Sequence, residues 1–347
     1  MSKRPDIRAR IAAFRALCDR GPPDGALAAV REALADPHYL LVARAAELAG
    51  DRLIYDLEPD LIAAYRRFLD DPVKRDPGCT AKGAIARALV ALDSQDASFF
   101  VEGIHYRQPE PVWGGAADTA VDLRVTCAIG LAATSYPRAL IHLVDLLHDP
   151  EPHARGGAAR AIACAQPLAA EAVLRSKALG GDPEAEVTGD CLAALLRVAG
   201  HDALDFVAGF LDGPHTEVRD LAAIALGESH LDGALTPLRA RWDAEPLKRE
   251  AERLLLRAAA LHRSEAALDW LIEVAGSADR ASAEAAIAEL AAFRGSARVR
   301  TGLEAVLAER GDGRLLAHYR RAFPTAEPEP RSAPGTSGPL GTRPEPG

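Results

Sequence analysis

The stretch DGPHTEVRDLAAIALG, residues Asp212 to Gly227, decides the fold of this chain. It opens with three turn-forming residues, Asp, Gly and Pro, and continues with an apolar stripe at helical spacing. The stripe occupies positions i, i+3, i+4, i+7 and i+8 and consists of Val218, Leu221, Ala222, Ala225 and Leu226. We therefore predict a turn followed by an amphipathic helix, which Gly227 closes in the left-handed conformation.

The same turn and stripe recur along most of the chain. Alignment on the first apolar residue of each stripe gives eight anchor positions: Val42, Ala81, Leu123, Ala154, Val187, Val218, Leu247 and Ala281. Successive anchors lie 29 to 42 residues apart. A period of about thirty residues is typical of a helical solenoid, in which each helix pair buries its apolar face by stacking on its neighbours.

This repetition predicts an all-α fold, an α-solenoid of stacked antiparallel helix pairs with about eight repeats over residues 1–323. No run of alternating apolar and polar residues predicts a strand. The last stripe, with alanines at positions 281, 285, 288 and 292, is the weakest, as expected for a unit near the end of the array. Residues 324–347 are rich in Pro and Gly and nearly free of apolar side chains, which predicts a disordered tail.

Two of the units, DGPHTEVRDLAAIALG and DPEPHARGGAARAIACA (Asp149 to Ala165), resemble HEAT repeats. They are similar in particular to the phycobilisome-lyase-type HEAT-like repeat family, and the resemblance extends from Asp24 to Phe293. It implies the fold alone, because such repeats occur in scaffolds, lyases, hydroxylases and DNA-repair proteins. The hydroxylases with these repeats use His-Glu dipeptides, and this sequence contains none.

The composition limits the partners and the location of the protein. The formal net charge of −9 argues against general nucleic-acid binding, for which a basic face is expected. The N-terminus has no signal-type apolar core, and no apolar run reaches the length of a membrane span. Five cysteines without a CxxC motif fit a reducing compartment. We therefore expect a cytoplasmic protein.

Charged residues recur at fixed places in the repeats. A basic residue directly follows the anchor in five units: Lys82, Arg124, Arg155, Arg219 and Lys248. An aspartate precedes the anchor by five or six residues in five units: Asp36, Asp118, Asp149, Asp182 and Asp212. A cation in the first turn opposes the helix dipole and needs a compensating partner. We therefore expect a ladder of Asp–Arg contacts between neighbouring repeats.

The segment GIHYRQPEPVWGGAAD, residues 103–118, is not required by the repeat and lies in the longest interval. Its two prolines and its Gly-Gly pair predict a stiff loop with a sharp turn. Inserted loops of repeat proteins often serve binding, and the alternative is that the aromatic side chains fold back over the core. The candidate binding residues are His105, Tyr106, Arg107, Gln108, Glu110, Trp113, Asp118 and Arg124. We expect Trp113 to be partly packed, with residues 106–108 directed towards the groove.

Candidate metal ligands occur as the pairs Glu102–His105 and Asp145–His148, each at i, i+3 spacing. Further carboxylates that converge on either pair cannot be identified from the sequence. Nucleophile, phosphate-binding and dinucleotide motifs are absent from the sequence. We therefore expect no catalytic residue, no cofactor and no metal.

The sequence thus favours a non-catalytic HEAT-repeat scaffold that binds a protein through its concave face and the 103–118 loop. The alternative is a HEAT-like protein of the lyase or chaperone type, or of the DNA-repair type, with a ligand pocket near that loop. The identity of the partner and the oligomeric state stay open.

Overall fold

The computed structural model describes residues 6–20, 23–165, 167–244 and 250–324. Within these ranges the chain forms twenty α-helices and one two-stranded antiparallel sheet. The strands are β1 (Pro109–Val112) and β2 (Gly115–Asp118). The helices are α1 (Ile7–Arg20), α2 (Pro23–Leu34), α3 (Tyr39–Asp51), α4 (Glu58–Arg67), α5 (Pro72–Arg75), α6 (Thr80–Ala91), α7 (Ala97–His105), α8 (Val121–Ala133), α9 (Ala139–Leu146), α10 (Pro152–Ile162), α11 (Pro167–Gly180), α12 (Ala185–Ala199), α13 (Leu204–Ala208), α14 (Thr216–Glu228), α15 (Leu235–Ala244), α16 (Glu250–His262), α17 (Glu265–Ser277), α18 (Arg280–Leu290), α19 (Ala297–Arg310) and α20 (Gly313–Ala322).

The chain divides into two compact units, Met1–Ala267 and Leu268–Gly347. In the first unit the second helices of successive repeats pack on one another in the order α3, α6, α8, α10, α12, α14 and α16. The first helices α2, α4, α7, α9, α11, α13 and α15 each pack against the second helix of the same repeat. This arrangement confirms the α-solenoid of stacked helix pairs. In the second unit α18 and α19 both pack against α20.

The apolar stripes of the second helices form the core of the first unit. Ile85 and Leu89 of α6, Cys127 and Leu131 of α8 and Leu195 of α12 are fully buried. Burial raises the pKa of the Cys127 thiol, so this cysteine is a packing residue rather than a nucleophile. The predicted anchor Leu247 and all of the predicted tail 324–347 except its first residue lie outside the described residues. In the described ranges no helix has both the length and the apolarity of a bilayer span.

The stripe predicted for the last anchor is wrong, because none of its four alanines is buried. Helix α18 buries Ala283, Ala286, Ile287 and Leu290, whereas Ala288 is exposed. A stripe of alanines offers little more apolar area than the adjacent face, and the face with Ile287 and Leu290 buries more. The larger side chains therefore set the orientation of this helix.

Gly227 does not cap α14, because the helix continues through it to Glu228. A Cβ atom at Gly227 would lie 2.2 Å from the backbone oxygen of Ala258 in α16. The left-handed residue after this helix is instead His230, with a φ of 53°. Gly227 is therefore present because α14 and α16 approach closely, and not because a turn requires it.

Replacing Gly227 with alanine is expected to lower the free energy of unfolding by about 1–3 kcal/mol, the usual range for an overpacked contact. The atom it meets is backbone, so relief requires α14 and α16 to separate. Gly180→Ala is the matched control, because a Cβ there meets nothing within 4 Å at the exposed end of α11. Urea unfolding of both variants measures the difference, and equal midpoints would contradict the close approach.

The predicted ladder of charges is confirmed in two repeats. Arg155 donates to Asp182 at 2.6 and 2.9 Å, and Arg124 lies between Asp118 and Asp149. Burial acts to raise the pKa of Asp182, but hydrogen bonds from Arg155 and Lys177 lower that pKa to about 2. Each arginine thus joins its own repeat to the turn of the next one.

The ladder prediction is wrong for Arg219, which donates to the hydroxyl of Thr216 on its own helix. Asp212 instead faces Arg241 at 3.5 Å. The sixth unit departs from the pattern because its turn aspartate is largely exposed, at 81% of the side chain. Lys248 lies outside the described residues.

Candidate functional site

Residues 109–118 form a β-hairpin between α7 and α8, which corrects the prediction that the solenoid contains no strand. The register pairs Pro109 with Asp118 and Val112 with Gly115, so Trp113 and Gly114 form the turn. Gly114 has a φ of 91°, a value that residues with a side chain rarely adopt. The Gly-Gly pair therefore does produce the sharp turn expected from the sequence.

Trp113 lies at the tip of this hairpin with its side chain fully in solvent, at a relative exposure of 103%. The preceding Val112 is also exposed, at 50%. The other two tryptophans, Trp242 and Trp270, are buried. The expectation that Trp113 is partly packed is therefore wrong, because the turn holds it away from the helices.

The lower part of the hairpin is held by a cluster of side chains that we call the hairpin base. Its members are Tyr106, Gln108, Glu110, Asp118 and Arg124. Five of the eight candidate residues therefore meet in one place, and they do so beneath the hairpin. Of the remaining three, Arg107 borders the cluster, Trp113 forms the tip and His105 points to a different group.

Glu110 joins the hairpin to Gly78 and to the residues that flank the hairpin on either side. Its Oε1 accepts hydrogen bonds from the backbone N–H of Gly78 and from Gln108 Nε2, both at 2.7 Å. It also accepts one from the Thr119 hydroxyl at 2.8 Å. Burial acts to raise the pKa of Glu110, but these hydrogen bonds lower it below its usual value. The carboxylate is therefore a fixed acceptor at neutral pH.

Gln108 and Tyr106 fill the space below Glu110. Gln108 is 1% exposed, donates to the backbone oxygen of Asp76 and accepts from the Tyr106 hydroxyl at 2.9 Å. Burial raises the pKa of Tyr106, and Lys82 Nζ lies 5.5 Å from its ring centroid. The expectation that residues 106–108 all face a groove is therefore wrong for Gln108, which is enclosed by the fold.

Arg124 is the fully buried cation of the hairpin base. It lies 2.6 Å from Asp118 and 3.1 Å from Asp149, and it donates to the backbone oxygen of Tyr106. Burial acts to raise the pKa of Asp118, but backbone hydrogen bonds and Arg124 lower it. Arg107 is half-exposed and reaches Asp149 at 2.8 Å. The positive and negative charges therefore compensate one another below the hairpin.

A second buried ion pair lies next to the hairpin base. Lys82 and Asp76 have no exposed side-chain surface and meet at 2.8 Å. Asp76 also accepts the backbone N–H groups of Ala81 and Lys82 and so caps α6. Asp76 was not among the turn aspartates predicted from the sequence, although it precedes its anchor Ala81 by five residues, within the offset of the other turn aspartates.

His105 does not belong to the hairpin base. Its Nε2 lies 3.2 Å from His142 Nδ1 on α9, and Asp145 lies beside them. The structure therefore groups these residues differently from the i, i+3 pairs proposed from the sequence. His105 meets residues of the next first helix instead of Glu102, and Asp145 groups with His142 instead of His148. The signal for His142 was its own i, i+3 spacing from Asp145.

Concave surfaces of ligand size lie elsewhere on the first unit. One of about 830 Å³ is lined by residues 178–188 and 210–218. Another of about 610 Å³ is lined by residues 132–145 and 164–165. Neither is lined by residues of the hairpin.

The sequence matches no protein-family model and no curated protein at a significant level. Among solved structures, the chain is similar to the complex of CpcE and CpcF of phycocyanin lyase from Nostoc sp. PCC7120. The identity is 17% and the TM-score is 0.34, with 65% of this chain and 89% of that chain covered.

Proposed function

We propose that this chain is a non-catalytic α-solenoid that binds a protein partner and that Trp113 is the anchor of the contact. The observation that carries the proposal is the contrast between the two ends of the hairpin. The tip presents a fully exposed tryptophan, whereas the base is enclosed and hydrogen-bonded.

An exposed tryptophan on a rigid support suits protein binding for two physical reasons. Tryptophan buries a large area on contact and is enriched among the residues that dominate binding energy. A hairpin whose base is already ordered loses little conformational entropy when a partner closes over its tip. The Gly-Pro-rich segment thus acts as a preformed projection, and not as a loop that must fold on binding.

Seven of the eight candidate residues divide into two roles in this proposal, and His105 has neither of them. Trp113 and the half-exposed Arg107 contact the partner. The buried or partly buried members of the hairpin base, among them Gln108 and Arg124, hold the projection in position. The proposed binding surface is therefore formed by the exposed residues at and beside the hairpin, with Trp113 and Arg107 as its contacts.

Replacing Trp113 with alanine is expected to change the free energy of unfolding by less than about 0.5 kcal/mol, as for an ordinary surface substitution. The same change should abolish capture of the partner, because truncation of a hot-spot residue costs about 2 kcal/mol or more in binding. Affinity capture from the native cells, with quantification of each bound protein, measures the second effect. Thermal melts measure the first.

Leu168→Ala is the matched control, because Leu168 is also a large exposed apolar residue, at 83%, outside the hairpin. The proposal requires a protein that is captured by the wild type and by the Leu168 variant but lost with the Trp113 variant. Identical sets for all three forms would contradict it. A captured nucleic acid or small molecule would favour the DNA-repair or lyase alternative.

A further inference from the structure

Three metal-type donors meet on the first unit, away from the hairpin base. They are His105 at the end of α7 and His142 and Asp145 on α9. One donor atom from each residue lies within 4.8 Å of the donors of the other two. We call them the His105–His142–Asp145 cluster. It joins two neighbouring first helices, which pack against each other directly.

The spacing of the two imidazoles suits a shared cation. His105 Nε2 and His142 Nδ1 are 3.2 Å apart. Two nitrogens bound to one tetrahedral Zn²⁺ at about 2.0–2.1 Å each are separated by about 3.3 Å. A cation can therefore take the place of the proton between the two nitrogens without a change in their separation, although each ring must turn so that its nitrogen faces the ion. Each imidazole then carries its remaining proton on the nitrogen that faces away.

The backbone places the third donor on the same face. His142 and Asp145 are separated by three positions on α9, so their side chains project from one side of the helix. The ring of Tyr136 stacks on His142 with centroids 6.0 Å apart and an angle of 22°. Packing thus limits the orientation of His142 before any cation binds.

We propose that the His105–His142–Asp145 cluster binds a divalent first-row transition ion of the Zn²⁺ class. Two imidazoles and one carboxylate are donors that Zn²⁺, Fe²⁺ or Ni²⁺ accept, whereas Mg²⁺ and Ca²⁺ require oxygen ligands. His105 and Asp145 are exposed and His142 is half-buried, so an ion can enter from solvent. Three protein ligands leave a coordination position for water or another molecule.

The open coordination position would lie beside one of the concave surfaces of the first unit. Asp145 also lines the concave surface of about 610 Å³, together with Tyr136, Leu140 and Val144. The cation would therefore lie at the border of a partly apolar concavity. The site is independent of the proposed binding of a protein by Trp113, because it uses neither the hairpin nor its base.

Calorimetric titration of the full chain with Zn²⁺ is expected to show one saturable site per chain, and Mg²⁺ should not compete. His142→Ala and Asp145→Asn should each weaken the affinity at least about tenfold, since even the loss of a residue that supports a ligand costs 10–100-fold. His153→Ala is the matched control, because His153 is an exposed histidine beside Asp122 that belongs to no group of three donors in the described part of the chain. It should bind Zn²⁺ as the wild type does.

Visible absorption of the Co²⁺-loaded chain supplies a second readout, which reports coordination by the protein directly. The expected spectrum is that of a low-coordinate ion, lost in the His142 and Asp145 variants and kept in the His153 variant. Equal affinity in all variants would show adventitious binding by surface histidines and overturn the proposal. Absence of saturable Zn²⁺ binding to the wild type, or equal binding of Mg²⁺, would also overturn it.

Discussion

Replacement of Arg124 with alanine is expected to lower the free energy of unfolding by about 3–5 kcal/mol, the usual cost of breaking a buried ion pair by removing one partner. Arg124 has no exposed side-chain surface, and Asp149 is 1% exposed. Its removal leaves Asp149 and Asp118 with the half-exposed Arg107 but without their buried cation, and the backbone oxygen of Tyr106 loses this donor. The loss therefore affects the core and the hairpin base together.

Urea unfolding followed by circular dichroism measures this effect through the shift of the midpoint. Arg219→Ala is the matched control, since Arg219 follows the anchor of its repeat in the same way but donates to Thr216 near the surface. We expect that control to lose no more than about 0.5 kcal/mol. Equal losses of stability in the two variants would contradict the assignment of the loss to burial of the Arg124 charge.

Replacement of Asp76 with alanine is expected to have a comparable effect, about 3–5 kcal/mol, because Lys82 then remains as an unpaired buried cation. Asp76 also accepts two backbone N–H groups at the start of α6, at 2.7 and 3.1 Å. Its loss therefore removes a helix cap in addition to the ion pair. The control is Asp70→Ala, since the Asp70 side chain is 84% exposed and pairs with Arg75 at the surface.

The double variant Asp76→Asn, Lys82→Met separates the charge effect from the cap. Asparagine can still accept the backbone N–H groups, and methionine fills the space of the lysine stem without a charge. We expect the double variant to recover most of the stability lost in Asp76→Ala, because replacing both charges of a buried pair is often nearly neutral. A double variant as unstable as Asp76→Ala would contradict the assignment of the loss to the unpaired charge.

The helices could be predicted because their signal is local. The stripe on α14 repeats every three to four residues, and the same spacing recurs wherever a second helix packs on its neighbours. Where that signal weakens, the prediction fails, as in α18, whose alanines do not distinguish one face from the next. The prediction that Gly227 caps α14 fails for a related reason. The residue that requires a glycine there, Ala258, is distant in sequence.

The hairpin could not be predicted because its stability is not local. Pro109 and Pro111 lack the N–H groups of a strand, and β2 consists of Gly, Ala, Ala and Asp, which have low strand propensity. What holds the hairpin is Glu110 on Gly78 and Gln108 on Asp76, contacts across 32 residues. The sequence marked residues 103–118 as a segment that the repeat does not require, but it could not distinguish the buried base from the exposed tip.

The same limit applies to the charged residues. Arg124 was identified both as a ladder residue and as a candidate for binding, and its burial supports the first interpretation. The His105–His142–Asp145 cluster could not be predicted, because it forms only where α7 packs on α9. The spacing of residues in the sequence does not indicate that contact. The binding roles of Arg107 and Trp113 stay predictions.

Site-specific photo-crosslinking at the hairpin tip tests the proposed function most directly. A photoreactive phenylalanine analogue in place of Val112, which is 50% exposed and leaves Trp113 intact, reports any partner that contacts the tip in the native cells. The same analogue at Leu168 serves as the control. We predict a discrete crosslinked protein from position 112 that is absent from position 168. The same products from both positions, or none from position 112 in cells that contain the full chain, would contradict the account of Trp113 as the anchor.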